Sequence, residues 1–198
     1  MDKVSLKLHQ KIYFPIKRFI AIIGSFAGIV FCFALFWWWI LIINSVVTKG
    51  HPIFRQERIG KDGKPFKVVK FRSMPVNTDP NMVTTEAKQD LHSTKFGKFL
   101  RATSLDETLQ LFNIFIGQMA FVGPRPLIYV DSDIITIEKR KENGSICLRP
   151  GLSGYAQVNG RKIISAEKKA DYDLYYLQHI SLLLDIKIFI LSIFKFKN

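Results

Sequence analysis

The chain has 198 residues, enough for one compact domain with attached segments and a hydrophobic core of its own. Its formal net charge of +13, from 29 basic and 16 acidic residues, favours a polyanionic partner: nucleic acid, an anionic lipid surface or phosphorylated substrates. The two cysteines and four histidines show neither a disulfide framework nor metal-ligand spacing, which argues against a disulfide-stabilised or zinc-binding protein.

A basic tail, residues 1–18, precedes a long apolar segment. The tail carries five Lys or Arg residues, and the 30 residues from Phe19 to Thr48 carry no charge. Because about 20 helical residues cross a bilayer core, this length predicts a membrane helix over residues 19–48. The segment is too long for a signal peptide, and no small-residue cleavage site follows it.

The charges on both sides of this segment bear on its topology. Residues 49–68 carry six more Lys or Arg residues, and basic flanks favour the cytoplasmic side. A re-entrant helix hairpin keeps both flanks on that side, and we favour it over a spanning helix. The alternative keeps support from Trp37, Trp38 and Trp39, which suit the far interface of a helix that spans the membrane.

A β-hairpin is predicted next, from Pro52 to Met74. Asp62-Gly63 is a strong turn signal, and the following PFKVVKF segment has strand-like alternation. Lys70 and Arg72 then lie beside the hairpin end, as exposed strand cations or as phosphate ligands. Residues 75–94 are polar with two prolines and predict a loop, whereas the basic and aromatic stretch 95–100 suits a lipid headgroup layer.

Residues 98–126 hold the most informative pattern in the chain. Adjacent carboxylates, Asp106 and Glu107, stand at the predicted start of a helix, and Arg101 precedes them by five residues. Ser104 and Glu107 also fit a capping box, which would make the acidic pair a structural cap. The two interpretations are compatible, because a helix N-terminus keeps Asp106 ionised and available as a nucleophile or metal ligand.

A Gly-Pro-Arg-Pro turn follows at residues 123–126. Its prolines restrict the backbone around Arg125, and a guanidinium held in this way binds phosphate oxygens at low ordering cost. The segment 149–161 is predicted to be rich in loops, with amide donors exposed at its glycines. Its polar side chains suit a uridine or a sugar phosphate: Arg149, Gln157, Asn159 and Arg161.

The remaining segments are predicted to be helical. Residues 131–147 are charged and helical before a polar break, and residues 165–178 form another helix. In the apolar tail 179–198, Ser181, Asp185 and Ser192 share one face, which predicts an interfacial amphipathic helix. The fold class is therefore α+β: an N-terminal hydrophobic helix, a small β-hairpin and amphipathic interfacial helices around a compact catalytic domain at residues 49–198.

Motifs along residues 50–195 resemble the bacterial sugar transferases, small monotopic phosphoglycosyl transferases that begin lipid-linked glycan assembly. They stand in family-like order and spacing: KFRSM at 70–74, R-x-x-S-L-D-E at 101–107, LQLFN at 109–113, FVGPRPL at 121–127, RPGLSGYAQVNGR at 149–161 and D-x-Y-Y at 173–176. The chain also departs from the family pattern. It lacks a Ser-Pro helix break near residues 33–36, and Ile116, Gln118 and Tyr155 replace the family's usual Lys, Asp and Trp.

The resemblance implies transfer of a sugar phosphate from a UDP-sugar to polyprenyl (undecaprenyl) phosphate. By the same resemblance, Asp106 is the nucleophile that forms an aspartyl-phosphosugar intermediate, Glu107 is a metal ligand or base, and Arg101 and Arg125 clamp phosphate. The resemblance also favours a phosphate-facing role for at least one of Lys70 and Arg72. Mg²⁺ is implied as cofactor near Asp106 and Glu107, because basic residues alone compensate the leaving phosphate poorly.

The expected location is the bacterial inner membrane, with the catalytic domain facing the cytoplasm and an anionic lipid bilayer as partner. Nucleic acid is not expected as a partner, since no recognition motif accompanies the charge. Whether two copies form a homodimer stays open, as do the sugar and the glycan pathway. The alternative function is a catalytically inactive, membrane-attached scaffold of a glycan-assembly pathway.

Overall fold

The computed structural model describes residues 7–76, 78, 93–160 and 164–195. Its N-terminal segment is helical from Leu8 to Val47, as α1 (Leu8–Cys32), a π-helical stretch (Phe33–Trp37) and α2 (Trp38–Val47). Within the described ranges this is the one helix long and apolar enough to cross a membrane. Most of its large apolar side chains are exposed, which is typical of a lipid-facing helix.

The π-helical stretch lies at the position where the Ser-Pro break of the family is missing. Such stretches insert an extra residue into the helical ladder and are a known cause of kinks. The residues on either side, Cys32 and Trp38, keep right-handed helical dihedrals. The choice between a re-entrant and a spanning helix stays a prediction.

The other regular elements are short. In chain order the described residues form β1 (Ile53–Ile59), β2 (Pro65–Phe71), α3 (Lys95–Ala102), α4 (Gln110–Phe115), β3 (Ala120–Val122), α5 (Asp131–Glu142), β4 (Gly151–Ser153), α6 (Tyr155–Asn159), α7 (Ala166–His179) and α8 (Leu182–Lys195). Two two-stranded sheets, β1–β2 and β3–β4, complete the mixed α and β architecture expected from the sequence. The loop predicted at 75–94 lies mostly outside the described residues.

The predicted β-hairpin is confirmed, although its second strand ends at Phe71 rather than Met74. The turn uses the residues that the sequence indicated, because Asp62 (φ 58°) and Gly63 (φ 76°) both adopt positive φ. The amide of Lys64 donates to the carbonyl oxygen of Lys61 at 3.2 Å. Two successive positive φ values are those of the type I′ turn that Asp-Gly favours.

The chain divides into two compact units. The first contains residues 1–23, 58–66 and 114–198, and the second contains residues 24–57 and 67–113. Each unit has a hydrophobic core of its own. The predicted boundaries at residues 18/19 and 48/49 describe membrane and catalytic segments, and they stay predictions.

The first unit is built around the parallel strands β3 and β4, with Ala120 opposite Gly151 and Val122 opposite Ser153. Its core contains side chains from α1, β3, α6, α7, α8 and the connecting segments: Tyr13, Val122, Leu148, Val158, Tyr176, Leu177, Ile180 and Ile188. The strands approach so closely that a Cβ on Gly151 would lie 2.1 Å from the amide nitrogen of Gly123. Glycine is therefore required at position 151.

The second unit buries side chains from the long apolar helix together with β2, α3 and the residues before α4. Its core consists of Cys32, Trp37, Ile40, Phe71, Leu100 and Leu109. Trp37 is 3% exposed and its ring packs against Phe71 and Phe112, whereas Trp38 is 54% exposed. Trp37 and Trp38 thus lie in different surroundings, because successive helical residues point about 100° apart.

Helix α8 confirms the amphipathic pattern of the tail, with its polar residue turned inward. Asp185 is buried in the first unit. Apart from Lys187, the exposed large side chains of α8 are apolar: Leu182, Leu183, Ile186, Phe189, Ile190, Ile193 and Phe194. A helix that exposes its apolar face to water carries a hydrophobic cost. This orientation suits a helix whose outer face meets lipid.

Candidate active site

The backbone before α4 does not form the capping box that the sequence predicted. Ser104 adopts a left-handed conformation (φ 56°) and makes no side-chain cap, and Leu105–Glu107 form one 3₁₀ turn. Helix α4 begins later, at Gln110. A capping residue needs extended backbone dihedrals, so the left-handed Ser104 cannot serve as the cap. The capping-box interpretation of the acidic pair is therefore wrong.

Two polar side chains hold this turn in the second unit. The Thr108 hydroxyl donates to the carbonyl oxygen of Leu105 at 2.7 Å and accepts the indole N–H of Trp37 at 2.9 Å. Asn113 accepts the Val69 amide at 3.1 Å and donates to the Lys67 carbonyl oxygen at 2.8 Å. Asn113 thus pairs with β2 as another strand would, and it fixes α4 beside the strand that carries Lys70.

The candidate nucleophile Asp106 is 8% exposed. Burial raises the pKa of its carboxyl group to about 6, the negative charge of Glu107 adds to this, and Lys70 and Arg101 act in the opposite direction. Helix α4 begins only at Gln110, so the helix N-terminus that was expected to keep Asp106 ionised is not at this residue, and desolvation raises its pKa. A perturbed carboxyl group with charged neighbours is characteristic of functional sites.

Three further residues complete the group that we call the Asp106 site, defined as Asp106, Glu107, Lys70 and Arg101. The Lys70 Nζ lies 3.8 Å from the Glu107 Oε1, and both side chains are partly buried. Arg101 donates to the Ser93 hydroxyl at 3.3 Å. The structure therefore brings together both predicted carboxylates and two of the predicted cations.

Arg72 is not part of this group. Its Nε donates to the His51 carbonyl oxygen at 2.9 Å, and its guanidinium lies 5.7 Å from the centroid of the Phe54 ring. Of the two hairpin cations, Lys70 is therefore the one placed beside the carboxylates. Arg72 follows the end of β2 and stabilises the connection between α2 and β1.

In the first unit, the turn that carries Arg125 is anchored through its backbone. Arg140 donates to the Arg125 carbonyl oxygen at 3.0 Å and binds the Asp173 carboxylate through Nε at 2.8 Å and NH2 at 2.6 Å. Both side chains of this ion pair are buried, and the Arg125 side chain is exposed. Arg140 was missed at the sequence level, since nothing local distinguishes it from its charged neighbours on α5.

The glycine-rich segment 149–160 differs from the loop of free donors that the sequence predicted. Residues 155–159 form the helix α6, and the amides of Gly151 and Gly160 already donate to Pro124 (2.9 Å) and Ala156 (2.7 Å). The side-chain amide of Asn159 donates to the Tyr155 carbonyl oxygen at 3.0 Å. Gln157 keeps a buried oxygen, Oε1, with no partner among the described residues, so it retains capacity for a ligand.

Two predicted substrate ligands remain, Arg149 and Arg161. Arg149 donates from Nε to the Gly117 carbonyl oxygen at 3.0 Å. Arg161 lies outside the described residues, so its predicted role stays a prediction.

The donor set at the Asp106 site fits Mg²⁺ with few protein ligands. Within the described ranges no cluster of three or more metal-ligating side chains occurs. Mg²⁺ is commonly held by one or two carboxylates plus substrate phosphates and water. Asp106 and Glu107 supply hard oxygen ligands, and the raised pKa of Asp106 reflects a site that would gain from added positive charge.

Comparison with known proteins adds independent findings. The family model for bacterial sugar transferases matches residues 12–198. A UDP-glucose:undecaprenyl-phosphate glucose-1-phosphate transferase from Klebsiella pneumoniae is 44% identical over 168 residues, which are 79% of this chain and 35% of the relative. A protein of the same name from Escherichia coli (strain K12) is 42% identical over 165 residues, with the same two shares.

A third relative is closer to this chain in length. The uncharacterized sugar transferase EpsL from Bacillus subtilis (strain 168) is 39% identical over 149 residues, which are 74% of this chain and 70% of the relative. The chain thus spans about a third of the length of the first two relatives.

Proposed function

Because the chain belongs to the bacterial sugar transferase family, we propose that it transfers a sugar phosphate from a UDP-sugar to undecaprenyl phosphate. Two relatives bear this reaction in their names, with glucose as the sugar. The observation that carries the proposal is the buried Asp106 carboxyl group beside Glu107, Lys70 and Arg101. A carboxylate nucleophile with nearby cations suits transfer of a phosphoryl group.

In the first step, a carboxylate oxygen of Asp106 attacks the sugar-proximal phosphorus of the donor. An acyl-phosphate bond forms between that oxygen and phosphorus, the bridge to the second phosphate breaks, and UMP leaves with the bond's electrons. A pKa of about 6 leaves Asp106 mostly ionised at neutral pH, as attack requires. Partial desolvation also leaves the carboxylate less stabilised by water than an exposed one.

In the second step, a phosphate oxygen of undecaprenyl phosphate attacks the same phosphorus. The acyl-phosphate bond breaks, Asp106 regains its carboxylate, and undecaprenyl-diphospho-sugar is released. Lys70 and Arg101 stabilise negative charge on the transferring group in both steps. Splitting the transfer into two displacements lets one site serve a soluble donor and a lipid acceptor in turn.

Mg²⁺ would be held beside Asp106 and Glu107. Glu107 would act as a metal ligand or as a base. When bound, the ion would neutralise charge on the phosphate oxygens. For the residues of the first unit we propose donor binding: Arg125 as a phosphate clamp, and Gln157, Asn159 and Arg161 as ligands of the nucleotide or sugar. Arg149, which the sequence grouped with them, donates to the Gly117 carbonyl oxygen and is left out of this set. The unpartnered Oε1 of Gln157 supports its place in this set.

The release of UMP tests this function against the scaffold alternative. Purified full-length chain mixed with UDP-glucose, undecaprenyl phosphate and Mg²⁺ is expected to release UMP, and a matched reaction with EDTA in place of Mg²⁺ is expected to release far less. A screen of other UDP-sugars identifies the donor if UDP-glucose fails. No release with any donor at micromolar enzyme would favour the inactive scaffold.

We further propose that the protein resides in the bacterial inner membrane as a re-entrant hairpin with its catalytic part in the cytoplasm. Both basic flanks of the apolar segment support this topology. In a chain with Cys32→Ala and Cys147→Ala, a membrane-impermeant maleimide is expected to label Ser5→Cys only after cell lysis. Lys98→Cys serves as the reference for a cytoplasmic position. Labelling of Ser5→Cys in intact cells that leaves Lys98→Cys unlabelled would establish a spanning helix.

A further inference from the structure

A cavity of about 270 Å³ lies in the first unit beside the N-terminal half of α1. Its walls combine apolar side chains with four cations: Lys17, Arg18, Lys61 and Arg149. None of these residues belongs to the Asp106 site. One carboxylate, Asp62, also lines the cavity, so cations outnumber acids there by four to one.

Backbone carbonyl oxygens hold Arg18 and Arg149 in this cavity. Arg18 donates to the carbonyl oxygens of Ile114 (2.5 Å) and Phe115 (2.6 Å), and Arg149 donates to that of Gly117. These acceptors carry no formal charge, and neither guanidinium has a carboxylate within ion-pair distance among the described residues. Each guanidinium has five N–H donors, more than these contacts use.

Lys17 has a carboxylate partner. Its Nζ lies 2.7 Å from the Asp185 Oδ2, and Asp185 also accepts the hydroxyls of Tyr13 (2.7 Å) and Tyr176 (2.5 Å). This network ties α1 to α7 and α8 around the cavity wall. Because Asp185 offsets only one of the three cations, two positive charges remain at Lys17, Arg18 and Arg149. The remaining cation, Lys61, is paired with the adjacent Asp62 at 3.6 Å.

An apolar groove adjoins the cationic cavity. This second cavity, about 240 Å³, shares Lys17, Ala21 and Val122 with the first. It continues between α1 and α8 along the exposed apolar side chains Ile20, Leu182, Ile186 and Phe189. The two cavities together offer cations at one end and a hydrocarbon surface at the other. This combination matches an amphiphile with an anionic head.

The sequence position of the cations places them at the depth of lipid headgroups. Lys17 and Arg18 directly precede the 30 uncharged residues that begin at Phe19. Cations at the end of an apolar membrane segment lie at the interface, where their side chains meet phosphates. A lipid in the same leaflet therefore has its headgroup near these residues and its chain near the groove.

We propose that Lys17, Arg18 and Arg149 bind the headgroup of a phosphomonoester lipid, whose hydrocarbon chain lies in the groove between α1 and α8. A phosphomonoester carries about −1.5 to −2 charges at pH 7 and three acceptor oxygens, which complements the two uncompensated cations. A zwitterionic phosphodiester lipid offers no net negative charge to this pair. Binding requires no catalytic step, although the acceptor of the proposed reaction has this chemistry.

The test uses the full chain in dodecyl maltoside micelles, titrated calorimetrically with monododecyl phosphate. We expect it to bind at least about tenfold more tightly than dodecylphosphocholine or inorganic phosphate, since each of these lacks one of the two matching features. Arg18→Gln is expected to weaken binding about tenfold, as loss of a charge-assisted hydrogen-bonding group does. Its control is Lys11→Gln, the same charge change at an exposed position of α1.

A second pair of variants tests the groove without altering a cation. Ile186→Glu places a carboxylate in the apolar groove and is expected to weaken binding about tenfold, whereas Leu183→Glu, on α8 but outside the groove, changes it less than about twofold. Both positions are exposed, so this pair decides the question if Arg18→Gln unfolds the chain.

Three outcomes would overturn the inference. Equal weakening by Arg18→Gln and Lys11→Gln would show diffuse surface electrostatics instead of a site. Inorganic phosphate binding as tightly as monododecyl phosphate, with no effect of Ile186→Glu, would show a site for a free anion. UMP release that depends on Asp106 without lipid binding at this cavity would refute the inference and leave the proposed function standing.

Discussion

Asp106→Asn is expected to lower UMP release by at least about 10³-fold, because a neutral amide cannot form the acyl-phosphate intermediate. Asparagine keeps the size of the side chain, so packing in the second unit changes little. Intact-mass spectrometry after rapid quenching with the donor is expected to show a phosphosugar adduct on the wild type and none on the variant. Asp171→Asn, at an exposed carboxylate on α7, is the matched control.

The same substitution is expected to raise the free energy of unfolding at pH 7. The pKa of Asp106 rises from 3.8 to about 6 on folding, so the folded state disfavours the ionised form. At about 1.4 kcal/mol per pKa unit, ionised Asp106 costs on the order of 1–3 kcal/mol of stability. The asparagine variant escapes this cost, and thermal unfolding in detergent measures the gain.

The pH dependence of this gain has a definite sign. Between pH 4 and pH 6 the folded wild type binds more protons than the unfolded chain, so its stability falls as pH rises through this window. The stability advantage of Asp106→Asn therefore shrinks as pH is lowered toward 4. Wild-type stability rises as pH is lowered, whereas wild-type activity falls below about pH 6 because the nucleophile is protonated. A variant less stable than wild type at pH 7 would contradict this account of the site.

Removing the buried carboxylate of Asp173 is expected to have the largest effect on stability. Asp173→Asn leaves the Arg140 guanidinium buried without its partner, and breaking such a pair costs about 3–5 kcal/mol. Burial raises the pKa of Asp173, and the charge of Arg140 opposes that shift. Thermal unfolding measures the loss. Glu142→Gln, which breaks the exposed Lys139–Glu142 pair at 3.4 Å, is expected to cost less than about 1 kcal/mol.

A double variant separates stability from the position of Arg125. Arg140→Met with Asp173→Leu replaces the ion pair by apolar side chains, which is often neutral for stability. It also removes the hydrogen bond to the Arg125 carbonyl oxygen, so we expect stability near wild type but a lower kcat/KM for UMP release. Wild-type kcat/KM in a stable double variant would show that Arg140 does not position the turn.

The features that the sequence predicted well are encoded within short stretches. The Asp62-Gly63 turn requires only two residues with positive φ, and the apolar length of 19–48 is set by composition. The motif around Asp106 could be recognised because nucleophile, neighbouring acid and Arg101 lie within seven residues. Local patterns of this kind do not depend on which other segments pack against them.

The errors arose where distant segments compete for the same group. Ser104 fits a capping box by its neighbours, yet the Trp37–Thr108 contact and the packing of the second unit leave it left-handed. The glycine amides of 149–160 looked free, but β3 and the turn after it lie against β4 and occupy the amide of Gly151. In each case contacts with residues distant in sequence replaced the local interaction that the sequence predicted.

The sequence alone established the family pattern, the long apolar segment, the hairpin and the acidic pair with its flanking cations. Only the folded chain decided the raised pKa of Asp106 and the exclusion of Arg72 from its site. It also decided the Arg140–Asp173 anchor of the Arg125 turn and the clustering of Lys17 with Arg18 and Arg149. The physical reason is that burial and charge–charge interactions depend on distances in space. Residues more than 90 positions apart, such as Arg18 and Ile114, become neighbours only through packing.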